Sequence, residues 1–187
     1  MRAFLIAGLA AFAVAACTPS EEEHGALSEG CDARGVATWN TPADANASVE
    51  AVAIGPDCAR AVATLIIRNG SGEPIYSETH IPSQVMTLAQ ASTPAAMQTA
   101  LQEWVDPASN TTMQTTSALP EWPANADSPQ NGEFPFYPAE GVTREMYNQV
   151  RDANVPLYCY VQGMESMNCL ALRDGALESV GVQSFPG

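Results

Sequence analysis

The side chains that could do chemistry are few and scattered. Five Cys, at positions 17, 31, 58, 159 and 169, and two His, His24 and His80, make up the whole supply of thiol and imidazole. Zinc sites draw on paired ligands such as C-x-x-C with a His close by. Neither His stands at such a spacing from any Cys, so no metal site is expected. A serine hydrolase needs a nucleophile on a sharp turn and a His to activate it. No G-x-S-x-G occurs, and His80 lies among alternating strand residues that suit a surface or edge position. Gly70-Ser71-Gly72 falls between two strand-like runs and opens no helix, which excludes a phosphate loop or dinucleotide fingerprint. No calcium loop of D-x-D-x-D-G form is present, and nothing calls for a cofactor. Carboxylates are plentiful, and glycoside cleavage asks only for two acids some 5 to 9.5 Å apart. Glu133, Glu140, Glu145 and Glu165 are conceivable members of such a pair, but their spacing singles none of them out.

The thiols take their meaning from the start of the chain. After Met1-Arg2, residues Ala3 to Ala16 carry no polar side chain, a run that suits the apolar core of an export signal and falls short of the roughly 20 residues needed to span a bilayer. Val14-Ala15-Ala16-Cys17 closes it and resembles the bacterial lipobox at all four positions. The resemblance implies that residues 1–16 are removed and that Cys17 becomes a lipidated N-terminus, attached stably because several acyl chains are installed. Thr18, rather than Asp, follows the cysteine, which by analogy with lipoprotein sorting favours the outer membrane, facing the periplasm. Outside the cytosol the remaining Cys31, Cys58, Cys159 and Cys169 are expected to form two disulfides. Three connectivities are open to four cysteines; the placing of Cys159 and Cys169 symmetrically about a turn containing Gly163 favours Cys159 with Cys169, and hence Cys31 with Cys58.

Charge narrows the partners further. There are 21 acidic residues against seven Arg and no Lys, for a formal charge of −14. Such a chain cannot neutralise phosphates, so nucleic acid is excluded as a partner. Anionic head groups would also repel it, leaving the lipid on Cys17 as its hold on the membrane.

The elements that must position these residues fall into blocks. Residues 17–30 read as an acidic disordered tether that includes His24, and 31–187 as one domain. From Cys31 to Ile81 the pattern is that of a meander, with strands at Gly35 to Trp39, Val49 to Ile54, Arg60 to Arg68 and Pro74 to Thr79 and a strong turn signal at Asn69-Gly70-Ser71-Gly72. Apolar or β-branched residues on both faces of Ala61 to Ile67 predict a central strand covered on both sides. Ser83 to Ala91 is expected to be a short helix, followed by a second one capped by Ser92 or Thr93 in which Met97, Leu101, Trp104 and Val105 share a face. Residues 106–142 hold six Pro and are expected to lack regular structure over most of their length. Their aromatic residues Trp122, Phe134, Phe136 and Tyr137 either pack on the domain or await a partner. Thr143 caps a further helix with Met146, Tyr147 and Val150 buried. Leu157 to Gln162, Met167 to Arg173 and a last strand after Asp174-Gly175 form a C-terminal meander.

The fold expected is α+β, with the two meanders joined in one antiparallel sheet and the helical middle packed on one face. The function expected is that of a non-catalytic, lipid-anchored envelope protein that binds another envelope protein or serves an assembly. Two alternatives are a carboxylate-dependent hydrolase of peptidoglycan or saccharide and an inhibitor of a cationic wall-degrading enzyme.

Overall fold

Period-two alternation of small apolar and polar residues builds the first sheet. The structure is a computed structural model and describes residues 30–42, 44–108, 111–129 and 134–185. Strands β1 (Cys31–Trp39), β2 (Ala47–Gly55), β3 (Val62–Arg68) and β4 (Pro74–His80) pair antiparallel in the order β1-β2-β3-β4. Ala33, Val49, Ala51, Ala53, Ala63, Leu65 and Ile67 are buried on its inner face. The turn between β3 and β4 is held by Asn69, whose side-chain oxygen accepts the backbone N–H of Ser71 and of Glu73 at 3.1 and 2.9 Å. Strand β3 is central in its pairing, but it is not covered on both sides: on its outer face Val62 remains 46% exposed, and Thr64 and Ile66 are only half-buried.

The helix expected over Ser83 to Ala91 is instead a 3₁₀ turn, Pro82–Gln84, followed by successive tight turns. Val85, Leu88 and Ala91 are the residues it buries, and the bonds Leu88 N–H to Val85 O and Ala91 N–H to Leu88 O each span three residues. A segment this short gains too little from helical propagation to offset nucleation, so the three-residue spacing of its apolar anchors decides the geometry. Thr93 caps α1 (Pro94–Val105), its hydroxyl oxygen accepting the Ala96 N–H at 3.2 Å. Pro94 takes the first helical position, where no N–H is needed. Met97, Ala100, Leu101, Trp104 and Val105 are buried. The helix also closes the free side of β1, because Gln98 and Gln102 donate to the carbonyls of Arg34 and Val36 and accept their N–H groups.

The C-terminal strands β7 (Pro156–Val161), β8 (Ser166–Arg173) and β9 (Ala176–Ser184) do not join the first sheet. They form a second sheet, ordered β5-β7-β8-β9-β6. Both of its edges come from the proline-rich stretch expected to be irregular: β5 (Thr111–Thr115) pairs with β7 and β6 (Phe136–Pro138) with β9. An edge strand tolerates Pro138, since only one of its sides must donate to the ladder. Thr143 caps α2 (Arg144–Asp152). Tyr147 and Val150 are buried in it, but Met146 is 48% exposed, on the flank of the helix. Asp174 and Gly175, at φ 50° and 81°, make the two-residue turn that the Asp-Gly pair announces.

The single sheet expected is thus corrected to two, stacked as layers of an α+β fold. One core lies between the inner face of the first sheet, α1 and one face of the second sheet, including Tyr158 and Tyr160. The other lies beneath the opposite face, between Leu157, Cys159, Cys169 and Ala171 and the side chains of α2 and the proline-rich segment. Being the middle layer, the second sheet buries both faces of β7. The disulfides are Cys31–Cys58 and Cys159–Cys169, and the second joins directly paired residues of β7 and β8.

Candidate functional site

The seam between the sheets carries a row of aromatic rings. Trp39 meets Tyr158 edge-on at 5.7 Å, Tyr160 meets Trp104 at 6.1 Å, and His80 stands edge-on to both Trp104 and Tyr160 at 5.4 and 5.8 Å. Along the seam β4 brings Tyr76, Glu78 and His80 to one side, and β7 to β9 bring Tyr160, Asn168 and Ser179 to the other. One oxygen of Glu78 accepts the hydroxyls of both Tyr76 and Tyr160, and the two phenol oxygens lie 2.9 Å apart. Asn168 reaches the Tyr160 oxygen at 3.5 Å and accepts from the Ser179 hydroxyl at 2.7 Å.

Burial, reinforced by the bond to Glu78, pushes both phenols well above the usual tyrosine range. They are therefore donors and not proton-transfer groups at any ordinary pH. A carboxylate held between two such donors is a polar clamp between layers, worth more than a neutral pair of hydrogen bonds because one partner is charged.

The imidazole of His80 sits at the edge of this clamp with Nε2 buried and without a hydrogen-bond partner among the described residues. Burial lowers its pKa below the ordinary value of 6.5, against a smaller opposing pull from Glu78. The folded chain therefore resists protonation where the unfolded chain does not, so stability is complete above pH 6.5 and declines as pH falls below it. His80→Phe should remove that part of the acid-side loss. Urea midpoints at pH 7.5 and pH 5 should differ less for the variant than for the parent; an equal difference would show that His80 does not contribute.

The aromatic row ends at Trp39, whose ring is buried. There a cleft of about 350 Å³ is lined by Trp39, Ala47, Ile75, Pro156 and Leu172, with Asp44 and Asp174 also contributing. Its size lies in the range of ligand sites, and its walls are largely apolar with a few polar groups, as such sites are. The sequence contains two signals for it, Trp39 at a strand end and the Asp-Gly turn, but their meeting depends on how the sheets stack. Asp44 is no free acid in this cleft. Its oxygens accept the N–H groups of Asn46 at 3.0 Å and Gly70 at 2.5 Å, fixing the neighbouring turns.

The structure disperses the residues singled out by the sequence. Phe136 is 1% exposed and packs in the second core, tilted against Tyr147 at 5.8 Å. Trp122 stacks edge-on to the same Tyr147 at 5.6 Å and donates its indole N–H to the Ala126 carbonyl at 3.0 Å. Phe134 is half-buried, and Tyr137, 55% exposed, is the one of the four that presents most of its ring to solvent. Glu140, Glu145 and Glu165 are exposed on three separate segments. Cys17, His24 and Glu133 lie outside the described residues.

No protein family, curated protein or solved structure matches the chain. The residues themselves must therefore carry the functional reading. Among the described residues no helix is long and apolar enough to cross a membrane.

Proposed function

We propose that the chain is an envelope lipoprotein, anchored through Cys17, whose domain is a non-catalytic binding module that receives an apolar side chain of another envelope protein in the Trp39 cleft. The observation that carries this reading is the position of the cleft. Strand β1 runs from Cys31, where the chain leaves the proposed tether, to Trp39 at the cleft. Eight residue steps at about 3.3 Å put the cleft roughly 26 Å from the tether's root, so a lipid-anchored domain would hold its binding site away from the membrane.

The cleft's composition favours binding over catalysis. Ile75 and Leu172, both half-buried, supply apolar contact beside the buried Trp39, whereas the Asp44 carboxylate accepts from two backbone donors. Asp44 and Asp174 add a preference for a partner segment with Lys or Arg beside its apolar residue, and the inhibitor alternative would use this same surface.

A photoreactive residue placed at Leu172 should crosslink to one partner in intact cells, and Ile75→Arg in the same chain should reduce that adduct at least tenfold. An adduct indifferent to Ile75→Arg, or none, would defeat the cleft as the recognition site.

A further inference from the structure

Large apolar side chains left in solvent are not spread evenly over this domain. Among the described residues eight of them are substantially exposed, and five, Ile54, Val62, Ile81, Met86 and Met164, gather at one end. Register places them there. Cys31 pairs with Gly55, the neighbour of Ile54, and Ile54 pairs with Val62. His80, the residue before Ile81, pairs with Ala63, the residue after Val62. The Met86 N–H donates to the Gly163 carbonyl at 3.2 Å, joining the loop after Ile81 to the β7–β8 turn that carries Met164. All five therefore lie at the end of the domain where the chain enters at Cys31.

We infer that this apolar crown rests on the surface of the membrane that anchors the chain, an inference that depends on the proposed lipidation of Cys17. Thirteen residues, 18–30, separate Cys17 from Cys31, a length that reaches at most about 45 Å. A domain confined so close to lipid meets it at high effective concentration, so a modest apolar contact suffices. The acids beside the crown are Asp32, Glu165 and Asp57, and Asp57 is engaged by the Arg60 guanidinium, which holds its carboxyl below the usual range. Asp44, Glu73 and Asp174 stand at the far end with Arg68 and Arg173, so the orientation is set by the apolar crown and the tether and not by charge.

The test is hydrogen exchange on the full chain purified from envelopes and reconstituted into phosphatidylcholine–phosphatidylethanolamine vesicles, compared with Cys17→Ala protein in solution. Residues 53–55, 81–87 and 162–165 should exchange at least threefold more slowly on vesicles, with residues 69–73 unchanged. The triple variant Ile54→Ser, Ile81→Ser, Met164→Ser alters only exposed side chains and should lose that protection while staying vesicle-bound. Equal exchange on vesicles and in solution, or protection at residues 69–73, would overturn the inference. Protection in solution that grows with protein concentration would do so as well, by identifying a second copy as the occupant. The mass of the N-terminal peptide separates the two readings: acylated Cys17 without protection defeats the docking alone, whereas unmodified Cys17 defeats the anchor and the docking together.

Discussion

Replacing Gly35 by Val should lower the unfolding free energy by about 3 kcal/mol, read as a shift of the urea midpoint at unchanged slope. A Cβ at this position would lie 2.5 Å from the backbone carbonyl carbon and oxygen of Leu101 and 2.6 Å from the N of Gln102. These are backbone atoms of α1, and no rotamer change can move them aside. The helix must therefore retreat from β1, and the loss spreads, because Gln98 and Gln102 hold the outer backbone groups of Arg34 and Val36 only while the helix lies this close. Gly35→Ala should show the same effect at smaller size. A Val variant as stable as the parent would mean that α1 does not seat on β1 in this way.

The second large effect is expected at the Cys31–Cys58 disulfide. Its cysteines are 27 residues apart, and opening a loop of that length releases chain entropy in the unfolded state worth about 3.5 kcal/mol. The double variant Cys31→Ser, Cys58→Ser should lose about that much. The corresponding change at Cys159 and Cys169, which are 10 residues apart, should cost about 2.7 kcal/mol on the same scale. The order of the two losses is itself a test. Were the shorter loop to cost clearly more, packing of Cys159 and Cys169 in the second core, and not chain entropy, would dominate.

Much of this fold was legible in the residues, in ways that differ from element to element. Alternating Ala, Val, Leu and Ile locate β1 to β4, because half-buried strands need small or branched apolar residues at every second position. Thr93-Pro94 and Thr143 locate the helix starts through capping chemistry that is local to the chain. The disulfides were readable in part, because a symmetric spacing about the Gly163 turn favours Cys159 opposite Cys169 over the other two connectivities, and these are the bridges found. Sheet membership was not readable in this way. An inner face reports that a strand is covered, without naming what covers it, and the joining of both meanders into one sheet was the expectation that failed. One signal pointed to layers: Leu157-Tyr-Cys-Tyr-Val161 has no polar position on either face, as a middle sheet requires. Thr111, Thr112 and Thr115 were a second signal, since their β-branched side chains suit the edge strand they form amid prolines. The Glu78 clamp gave no sequence signal at all, because Glu78 and Tyr160 stand 82 residues apart and neither has a neighbour that marks it.

The pair of glutamines on α1 has a consequence for the protein's life in a crowded compartment. An uncapped strand edge is a template for other chains, and proteins that expose one long and flat risk growing into fibrils. Here the N–H and C=O of Arg34 and Val36 are already answered by Gln98 and Gln102, so a stray peptide finds the middle of the β1 edge occupied. The opposite margins are guarded by prolines, Pro74 at the start of β4 and Pro138 in β6, whose rings cannot donate to an incoming strand. Oxidation, heat or proteolysis that displaced α1 would therefore do more than loosen one helix. It would uncover a strand edge onto which other chains could add.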